Sequence, residues 1–503
     1  MTQAVDSVAL LPAYLAAGTA VLVLLADLAV ARWRVTVLAA AAGAVATGVA
    51  AVLVAPGRLT FCAGDGCSYL TSGRSALVGV LFALLTLGVL GLSAPLLRSA
   101  AVPAGEYCFL LACSMTGGVV LGAAGDLITL IVALETLTLP LYVLVGARRT
   151  SLPGATAAVT FFVVSVVATA VTLLGAALLY AGTGHLHLSQ LGAALAGDLP
   201  AGQAPLVSTA AVLVVLGLAF KVAAVPFHAW APTTYDGAPV PVAAYLSTAS
   251  KLGGVVALLA VTATAWPAAD GTVDGMPALP VEWTGPVLAT IAVLTMTVGN
   301  LVALRQTRMI RLLAWSSVAQ AGYMIAPLGA LSLVGGDHAA LAAATVAYTV
   351  FFVVLEFAAF GAVVALRPAG ADGGEVAAYR GAGRRRPLVA AALVLALVGL
   401  AGLPPGLAGL FAKVTVVRAL LLGDAGWLAV VVALNAVVGL AYYVRVAATL
   451  YASPTAAGSV ADDIPGASPR RAAWPVAVAL AVATAITIVL GFAPQLVLDV
   501  ATR

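Results

Sequence analysis

Long apolar runs alternate with short polar segments from Val8 almost to the last residues of the chain. An α-helix needs roughly 20 apolar residues to cross the hydrocarbon layer of a membrane, and runs of that length recur throughout. The pattern predicts about fourteen transmembrane helices, at residues 8–30, 35–55, 76–97, 107–124, 127–146, 155–181, 206–229, 239–264, 284–304, 310–331, 339–366, 388–422, 426–451 and 473–497. Because the connecting segments are short, residues 1–503 are expected to form a single membrane domain of the all-α polytopic class.

The composition indicates that lipid is the solvent of this chain. Hydrophobic residues make up 63% of it and charged residues only 8%, which leaves too little polar surface for a water-soluble fold of this length. The formal net charge of +4 comes with arginines that are scattered among the loops. Since these arginines form no single basic face, the lipid bilayer is an expected partner and nucleic acid is not.

The arginines of the loops divide unevenly between the two sides of the membrane. Alternate loops hold fifteen arginines, whereas the other loops and the termini hold only Arg58, Arg74 and Arg503. The fifteen are Arg32, Arg34, Arg98, Arg148, Arg149, Arg305, Arg308, Arg311, Arg367, Arg380, Arg384, Arg385, Arg386, Arg470 and Arg471. The positive-inside rule assigns them to the cytoplasm. Both termini are then expected on the outer side, which requires an even number of crossings and agrees with fourteen.

The cysteines add a small inference about the outer side. Cys62 and Cys67 flank a glycine-rich turn in a loop placed outside, where a disulfide could persist, although spacing leaves a bond and two free thiols equally open. Cys108 and Cys113 fall within the fourth span and are expected to be packing residues. The chain has no CxxC pair, GxGxxG or P-loop. We therefore expect it to bind no metal, iron–sulfur cluster or nucleotide, so that any redox chemistry takes place in a partner.

Lysine is rare in this chain, and every lysine lies in an apolar span. Against twenty arginines there are only three lysines, Lys221, Lys251 and Lys413. Placing a charged side chain at the centre of a membrane helix costs about 2.5–3.5 kcal/mol. A desolvated lysine amine can lose its proton, whereas arginine stays protonated. The three lysines are therefore candidate proton-transfer residues, and static ion-pair partners are the alternative.

Glu135 supplies the opposite charge near the middle of the fifth span. No basic residue lies within one helical turn of it, so a partner must come from another helix, and Lys221 is the natural candidate. Loosening such a pair would release the Lys221 proton. The alternative is a neutral, packed carboxyl group without function.

Two spans contain helix-breaking residues beside a lysine. Pro226 follows Lys221 by five residues, and the Pro404–Pro405–Gly406 sequence precedes Lys413. Proline removes a backbone hydrogen bond, and broken helices in membranes are tolerated where they line a polar cavity. Helices 7 and 12 are therefore predicted to be broken, with an ordinary proline kink as the alternative.

The broken helices occupy matching places in the order of spans. Each is the fourth member of a five-helix unit, one at residues 107–264 (helices 4–8) and one at residues 284–451 (helices 9–13). A repeat with an odd number of helices is inverted relative to the membrane, as in transporters whose sites lie at the repeat interface. Two inverted five-helix repeats would make Lys221 and Lys413 pseudo-symmetric equivalents.

Four segments carry a family resemblance. They are GLAFKVAAVPFHAWAPTTYDGAPVPVAAYLSTASK at 217–251, GNLVALRQTRMIRLLAWSSVAQAGY at 299–323, GLPPGLAGLFAK at 402–413 and NAVVGLAYYVRV at 435–446. Together with the Glu135 segment they resemble the antiporter-like subunits of respiratory complex I, and GAPVP and LSTASK are similar to the N branch. Subunit M usually has glutamate where Lys413 stands, and subunit L has a long lateral helix that is not found here.

The resemblance implies a proton-translocating membrane-arm subunit of a type I NADH:quinone oxidoreductase in the bacterial cell membrane. In that family Glu135 would pair with Lys221, Lys251 would be a central relay, and Lys413 would be the outward terminal site. This chain would hold no cofactor, since NADH, FMN, iron–sulfur clusters and quinone belong to partner subunits. The expected neighbours are subunits M and K and the lateral helix of subunit L. The rival functions are a subunit of a multisubunit cation/proton antiporter and a structural spacer.

Several positions depart from the family pattern. Ile310 and Gln320 stand where lysine and histidine are common, Thr160 stands near a position that is often lysine, and Thr233 stands where a Pro–Asp pair would be usual. Glutamine does not take up a proton at physiological pH. If Gln320 lines the route between the central and outward lysines, water must bridge that gap.

Four further side chains are secondary candidates, among them Gln320. Glu356 is an extra carboxylate in the eleventh span, and we hypothesise that it tunes Lys413 or compensates for lost polar groups. His228 could deliver protons from the cytoplasmic side or could be a hydrogen-bonded structural residue. Tyr323, at the end of the second family segment, completes the set.

Overall fold

The computed structural model describes residues 5–64, 66–148, 150–196, 202–262, 279, 281–333, 338–367, 372–453 and 472–502. These residues form helices α1 (Leu11–Val30), α2 (Trp33–Leu53), α3 (Gly73–Arg98), α4 (Ala104–Gly122), α5 (Leu127–Val145), α6 (Leu152–Thr183), α7 (Leu188–Ala196), α8 (Ala204–Lys221), α9 (Trp230–Gly237), α10 (Val240–Tyr245), α11 (Lys251–Thr262), α12 (Val281–Ala303), α13 (Met309–Gly329), α14 (His338–Leu366), α15 (Ala382–Arg385), α16 (Pro387–Ala401), α17 (Leu407–Leu422), α18 (Gly426–Tyr451), α19 (Trp474–Phe492) and α20 (Gln495–Ala501). Strands β1 (Leu59–Ala63) and β2 (Gly66–Leu70) form one antiparallel hairpin. Of the sequence predictions, Arg149, Arg470, Arg471, Arg503 and residues 263–264 lie outside the described residues.

The all-α polytopic fold that the sequence predicts is confirmed. Twelve helices in the described part of the chain are long and apolar enough to cross a membrane. The other two predicted spans correspond to α13 and to the pair α16 and α17. Large apolar side chains such as Leu28, Leu53 and Leu388 are exposed on the outside of the bundle, where a membrane protein meets lipid.

The helix bundle has a buried centre and a lipid-facing periphery. Every residue of α10, of the π-helical turn Leu246–Ser250 and of α11 is buried, and most of α14 is buried with them. Helices α1, α2, α6 and α19 bury only one side. Lys251 and Glu356 lie on the central helices and are 1% and 0% exposed. The fold therefore removes these two ionisable groups from lipid as well as from bulk water.

Both predicted helix breaks are present. Helix α8 ends at Lys221 and α9 begins at Trp230, while α16 ends at Ala401 and α17 begins at Leu407. The last carbonyl groups of a helix have no partner within the helix and must find one elsewhere. Each break therefore offers backbone acceptors inside the bundle. The π-helical turn directly before Lys251 was not predicted from the sequence.

One end of the bundle carries the β-hairpin. Cys62 and Cys67 form a disulfide bond across it, which answers the question that the spacing left open. Arg58, next to β1, forms a 2.8 Å ion pair with Asp6 and holds the pKa of that carboxyl group below its ordinary value. Tyr69 forms a backbone bridge with Ala124. The N-terminal segment, the hairpin and the loop before α5 are thus joined in one layer.

The opposite end carries an arginine–aspartate network. Arg308 donates from Nε to both carboxylate oxygens of Asp236, at 3.1 and 2.9 Å, and Arg311 donates to the same carboxylate at 2.9 Å. Arg308 also contacts Asp372 at 3.0 Å, and these acidic partners raise its pKa. The network connects the end of α9 with the start of α13 and with the segment that follows α14.

Candidate functional site

The first lysine site consists of Lys221, Glu135, Thr138 and Ser165. Lys221 Nζ donates to Glu135 Oε1 at 2.8 Å, to Ser165 Oγ at 3.1 Å and to Thr138 Oγ1 at 3.2 Å. A lysine ammonium group has three N–H donors, so each of them has an acceptor here. Thr169 donates a further hydrogen bond to Glu135 Oε1 at 2.5 Å. The hydrogen bonds at this site therefore suit a charged amine that is paired with a charged carboxylate.

The two partners of this site differ in their access to the surroundings. The Lys221 side chain is 5% exposed, whereas the Glu135 side chain is 20% exposed. Charges attract more strongly in a medium of low dielectric constant than in water, so the amine gains much of its stability from this one carboxylate. Glu135 is the member that an outside group can approach.

The break after α8 brings Lys251 next to the first lysine site. Lys251 Nζ donates to the carbonyl oxygen of Val222 at 2.9 Å, and Ser250 Oγ donates to the carbonyl oxygen of Lys221 at 3.1 Å. Both acceptors lie at the end of α8, where helical hydrogen bonding stops. The broken helix therefore joins the paired lysine to the central lysine through consecutive backbone groups.

The second lysine site consists of Lys413, Ala401 and Tyr323. Lys413 Nζ donates to the Ala401 carbonyl oxygen at 2.6 Å and lies 5.0 Å from the centre of the Tyr323 ring. Within the described residues no carboxylate forms an ion pair with Lys413. Gly402 has φ +81°, and a Cβ atom there would lie 2.6 Å from Lys413 Cδ. This glycine is needed both for its backbone conformation and for the space that the lysine occupies.

Gln320 is packed beside the second lysine site. Its Nε2 donates to the carbonyl oxygen of Leu400 and to the Tyr443 hydroxyl, both at 3.0 Å, and its Oε1 accepts from the Tyr348 hydroxyl at 2.5 Å. Leu400 directly precedes Ala401, so Gln320 and Lys413 bind neighbouring carbonyl groups of the second break. Both N–H donors of the amide and its oxygen have protein partners.

A cavity of about 650 Å³ lies beside Lys413. Its other lining residues are mostly apolar and come from α17 and α18, with Arg418 at its edge. Arg418 is exposed and lies within α17, one and a half turns beyond Lys413. Arg418 in α17 and Arg445 in α18 thus lie within helices, whereas the sequence predicted arginines in loops only.

A cluster of amide and phenol groups supports Tyr323. Asn300 Nδ2 donates to the Tyr323 hydroxyl at 3.0 Å and to the Asn435 carbonyl oxygen at 3.1 Å, while Tyr442 donates to Asn300 Oδ1 at 3.0 Å. The sequence signal was available, because Asn300 and Asn435 are amides inside apolar spans. These uncharged amides stand out less from the sequence than the ionisable residues of the same spans.

The secondary candidates lie at different places. His228 is half-buried with its ring 5.1 Å from the Trp315 ring, and its Nδ1 has no hydrogen-bond partner among the described residues. Glu356 interacts electrostatically with Lys251. Lys413, which we had expected Glu356 to tune, has no such interaction with it. The structure thus places the extra carboxylate beside the central lysine.

The remaining departures from the family pattern have local explanations. Thr160 and Thr233 donate to backbone oxygens of their own helices, those of Thr156 and Trp230, at 2.9 and 3.0 Å. Ile310 is 2% exposed. These side chains take no part in either lysine site.

Comparison with known proteins gives one consistent result. Residues 124–439 match the family described as NADH:quinone oxidoreductase/Mrp antiporter, TM. The NADH-quinone oxidoreductase subunit N of Salinispora tropica is 67% identical, over 100% of both chains. A chain of respiratory complex I from Thermus thermophilus with bound aureothin has 30% identity and a TM-score of 0.76, over 97% of this chain and 98% of that chain. A chain of the Mrp complex from Dietzia sp. DQ12-45-1b has 24% identity and a TM-score of 0.79, over 98% and 96%, which shows a shared fold.

Proposed function

Because the chain belongs to the NADH:quinone oxidoreductase/Mrp antiporter transmembrane family, and within it to the subunit N branch, we propose that it moves protons across a bacterial cell membrane. It would act as a proton-pumping subunit without a redox centre of its own. NADH, FMN, iron–sulfur clusters and quinone would be held by partner subunits, and quinone reduction there would drive the transfer.

The observation that carries this proposal is the connection between the first lysine site and Lys251. Lys221 is ion-paired with Glu135, and the backbone at the end of the same helix accepts the hydrogen bond of the Lys251 amine. A change at Glu135 therefore alters the field at Lys221 and, one residue further on, the position of the acceptor for Lys251. A static packing role would not need a second buried amine bonded to the backbone directly after the paired Lys221.

The side chains would act in the following way. When Glu135 is drawn away, the Lys221 ammonium group loses its compensating charge and is left with two neutral hydroxyl acceptors, so its proton moves on towards Lys251. Lys251 would be loaded from the cytoplasm, with His228 as a secondary delivery residue. Lys413 would release protons outward, because it lies beside the cavity that Arg418 borders.

The orientation belongs to the same proposal. The arginine-rich end would face the cytoplasm and both termini would face outward. The disulfide between Cys62 and Cys67 supports an outer position for the hairpin, because disulfides persist in oxidising compartments. Glu135 and the Lys413 cavity would face neighbouring membrane-arm subunits, with subunits M and K and the lateral helix of subunit L as partners.

We also infer two inverted five-helix repeats, at residues 107–264 and 284–451. The two helix breaks support the repeats, since each falls in the fourth helix of its unit. The lysines differ in one respect, because Lys221 is the last residue before its break and Lys413 follows its break by several residues. The pseudo-symmetry of the two repeats would therefore relate the two helix breaks more closely than it relates Lys221 to Lys413.

The test is Lys251→Met in the assembled membrane complex, with proton pumping in sealed vesicles measured per NADH oxidised. We expect pumping to fall while the complex still contains its flavin and iron–sulfur partners. Ser247→Ala on the same buried segment is the control, because Ser247 bonds only to its own helix backbone. Normal pumping by Lys251→Met would instead support a structural spacer. Sodium-dependent flux without a quinone reductase would support a multisubunit antiporter.

A further inference from the structure

Gln320 is packed beside the second lysine site, which a proton coming from Lys251 would have to reach. Its amide group carries no titratable proton, and all of its polar atoms are already bonded to Leu400, Tyr443 and Tyr348. Gln320 can therefore hold the shape of the route but cannot carry the proton. Another group must do so.

Glu356 is the one carboxylate on the buried central helices of the described structure. It lies on α14, is 0% exposed, and neither of its oxygens has a hydrogen-bond partner among the described residues. Buried polar groups are almost always hydrogen-bonded to protein or to ordered water. A carboxyl group with two free oxygens at this depth therefore requires a small ligand that can both donate and accept.

Two hydroxyl groups near Glu356 also lack a hydrogen-bond partner among the described residues. The hydroxyls of Ser317 and Tyr235 lie near Glu356 and near each other, but neither is close enough or well enough aligned for a normal hydrogen bond. The Tyr235 ring packs edge-on at 6.4 Å from the ring of Phe360, one helical turn after Glu356. Buried polar atoms without hydrogen-bond partners from α9, α13 and α14 therefore lie close together, and a bound water would satisfy them.

Glu356 also interacts with a group of each of the two sites. It interacts electrostatically with Lys251 and with Tyr443. Tyr443 bonds to Gln320 and to Ser316, and Gln320 bonds to the carbonyl group adjacent to the one that holds Lys413. Glu356 is therefore coupled directly to Lys251, and it is coupled to the second lysine site through Tyr443 and its hydrogen bond with Gln320.

We propose that Glu356, Ser317 and Tyr235 form a water-binding proton site that links Lys251 with the second lysine site. The proposal rests on the proton-transfer function proposed above. One N–H bond of the Lys251 ammonium group breaks and one O–H bond forms on Glu356 through the bound water. Both side chains become neutral, and no electrons are transferred. The Glu356 proton then leaves through water along the Tyr443 hydroxyl towards Lys413.

The test is Glu356→Gln in the assembled complex, because this change keeps the shape and removes the titratable proton. We expect the protons pumped per NADH oxidised to fall to the level of Lys251→Met. Glu356→Asp should restore part of the pumping. The matched control is Thr349→Val, a buried change on the same helix at a hydroxyl that bonds only to its own backbone, and it should pump normally.

A second measurement applies whether or not Glu356→Gln assembles. Infrared difference spectra of the unmodified complex during turnover should contain the carbonyl band of a carboxyl group that gains and loses a proton. That band should shift in the double variant Ser317→Ala/Tyr235→Phe, which leaves Glu356 in place. An unshifted band would overturn the proposal.

The outcomes separate this inference from the proposed function. If Lys251→Met abolishes pumping and Glu356→Gln leaves it unchanged, the Glu356 site is wrong and the proposed function stands. If both variants pump normally, the proposed function itself is wrong. If both lose pumping and Thr349→Val does not, both proposals are supported.

Discussion

The two helix breaks hold their lysines in opposite ways. At the first lysine site a carboxylate and two hydroxyls surround Lys221, and its partner Glu135 comes from a helix 86 residues earlier in the chain. At the second lysine site Lys413 has a backbone carbonyl and an aromatic ring. One amine is balanced by a full opposite charge and the other by partial charges.

The difference shows two ways of burying an amine at a helix break. If Lys221 loses its proton, the charge of Glu135 remains unbalanced in a medium of low dielectric constant. If Lys413 loses its proton, no charged partner is left behind, and the carbonyl can still accept from the neutral amine. The first arrangement responds to events at Glu135, whereas the second is suited to releasing a proton.

Removing the carboxylate of the first lysine site is expected to have the largest effect. Glu135→Leu leaves the Lys221 charge buried and unpaired, which should lower the free energy of unfolding by about 3–5 kcal/mol. Thermal inactivation of the purified complex measures the loss, and the double variant Glu135→Leu/Lys221→Met should recover most of it. Lys413→Met should cost about 1 kcal/mol or less, since it strands no charge. Equal losses for Glu135→Leu and Lys413→Met would contradict the comparison.

Gln320→Leu should have the next largest effect, because the second lysine site depends on neutral hydrogen bonds. The change leaves the Leu400 carbonyl group and the hydroxyls of Tyr348 and Tyr443 with one partner fewer. We expect a loss of about 2–3 kcal/mol in the free energy of unfolding, measured by thermal inactivation. Gln306→Leu is the control, because among the described residues the Gln306 amide bonds only to the nearby backbone carbonyl of Val302, at 3.3 Å. Similar losses at both positions would argue against the network.

Aromatic rings distinguish the two sites more finely. Tyr323→Leu removes the ring beside the Lys413 amine and should lower the free energy of unfolding by about 1–2 kcal/mol. Tyr323→Phe keeps the ring and should cost less, since only the Asn300 hydrogen bond is lost. Phe220 lies 5.8 Å from the Lys221 amine, but Phe220→Leu should alter the pumping of that site less, because Glu135 already balances the charge. Thermal inactivation measures the stability losses, and pumping per NADH oxidised is compared across the three variants to decide the order.

The smallest expected effect concerns the hydroxyl that bonds to Glu135. Thr169→Val removes this hydrogen bond and should lower the free energy of unfolding by about 1 kcal/mol. The loss is small because Glu135 is exposed enough for another donor to replace the Thr169 hydroxyl in part. Thr160→Val lies on the same helix at a hydroxyl bonded to its own backbone and serves as the control. The difference between the two variants in thermal inactivation measures the contribution of Thr169. A larger loss for Thr160→Val would contradict the assignment.

The sequence located the buried ionisable residues more successfully than it predicted their neighbours. Glu135 and Lys221 could be paired in advance, because each lacked an opposite charge nearby and few other charges were available inside the spans. That Glu356 tunes Lys413 or compensates for lost polar groups stays a prediction, and its interaction with Lys251 could not be foreseen, since nothing in the sequence gives the rotation of α14 about its axis. The amide cluster of Asn300 and Asn435 was missed because uncharged groups gave no reason to look for a partner.

The sequence by itself determined the spans, the two breaks and the presence of buried amines. These properties are local, because apolar length decides whether a helix can cross a membrane and proline decides where it stops. Only the tertiary structure decided that Lys251 meets the Val222 carbonyl, that Lys413 meets the Ala401 carbonyl, and that Glu356 interacts with Lys251. Those contacts join helices that are distant in the chain, and they depend on how the helices are rotated and packed against one another.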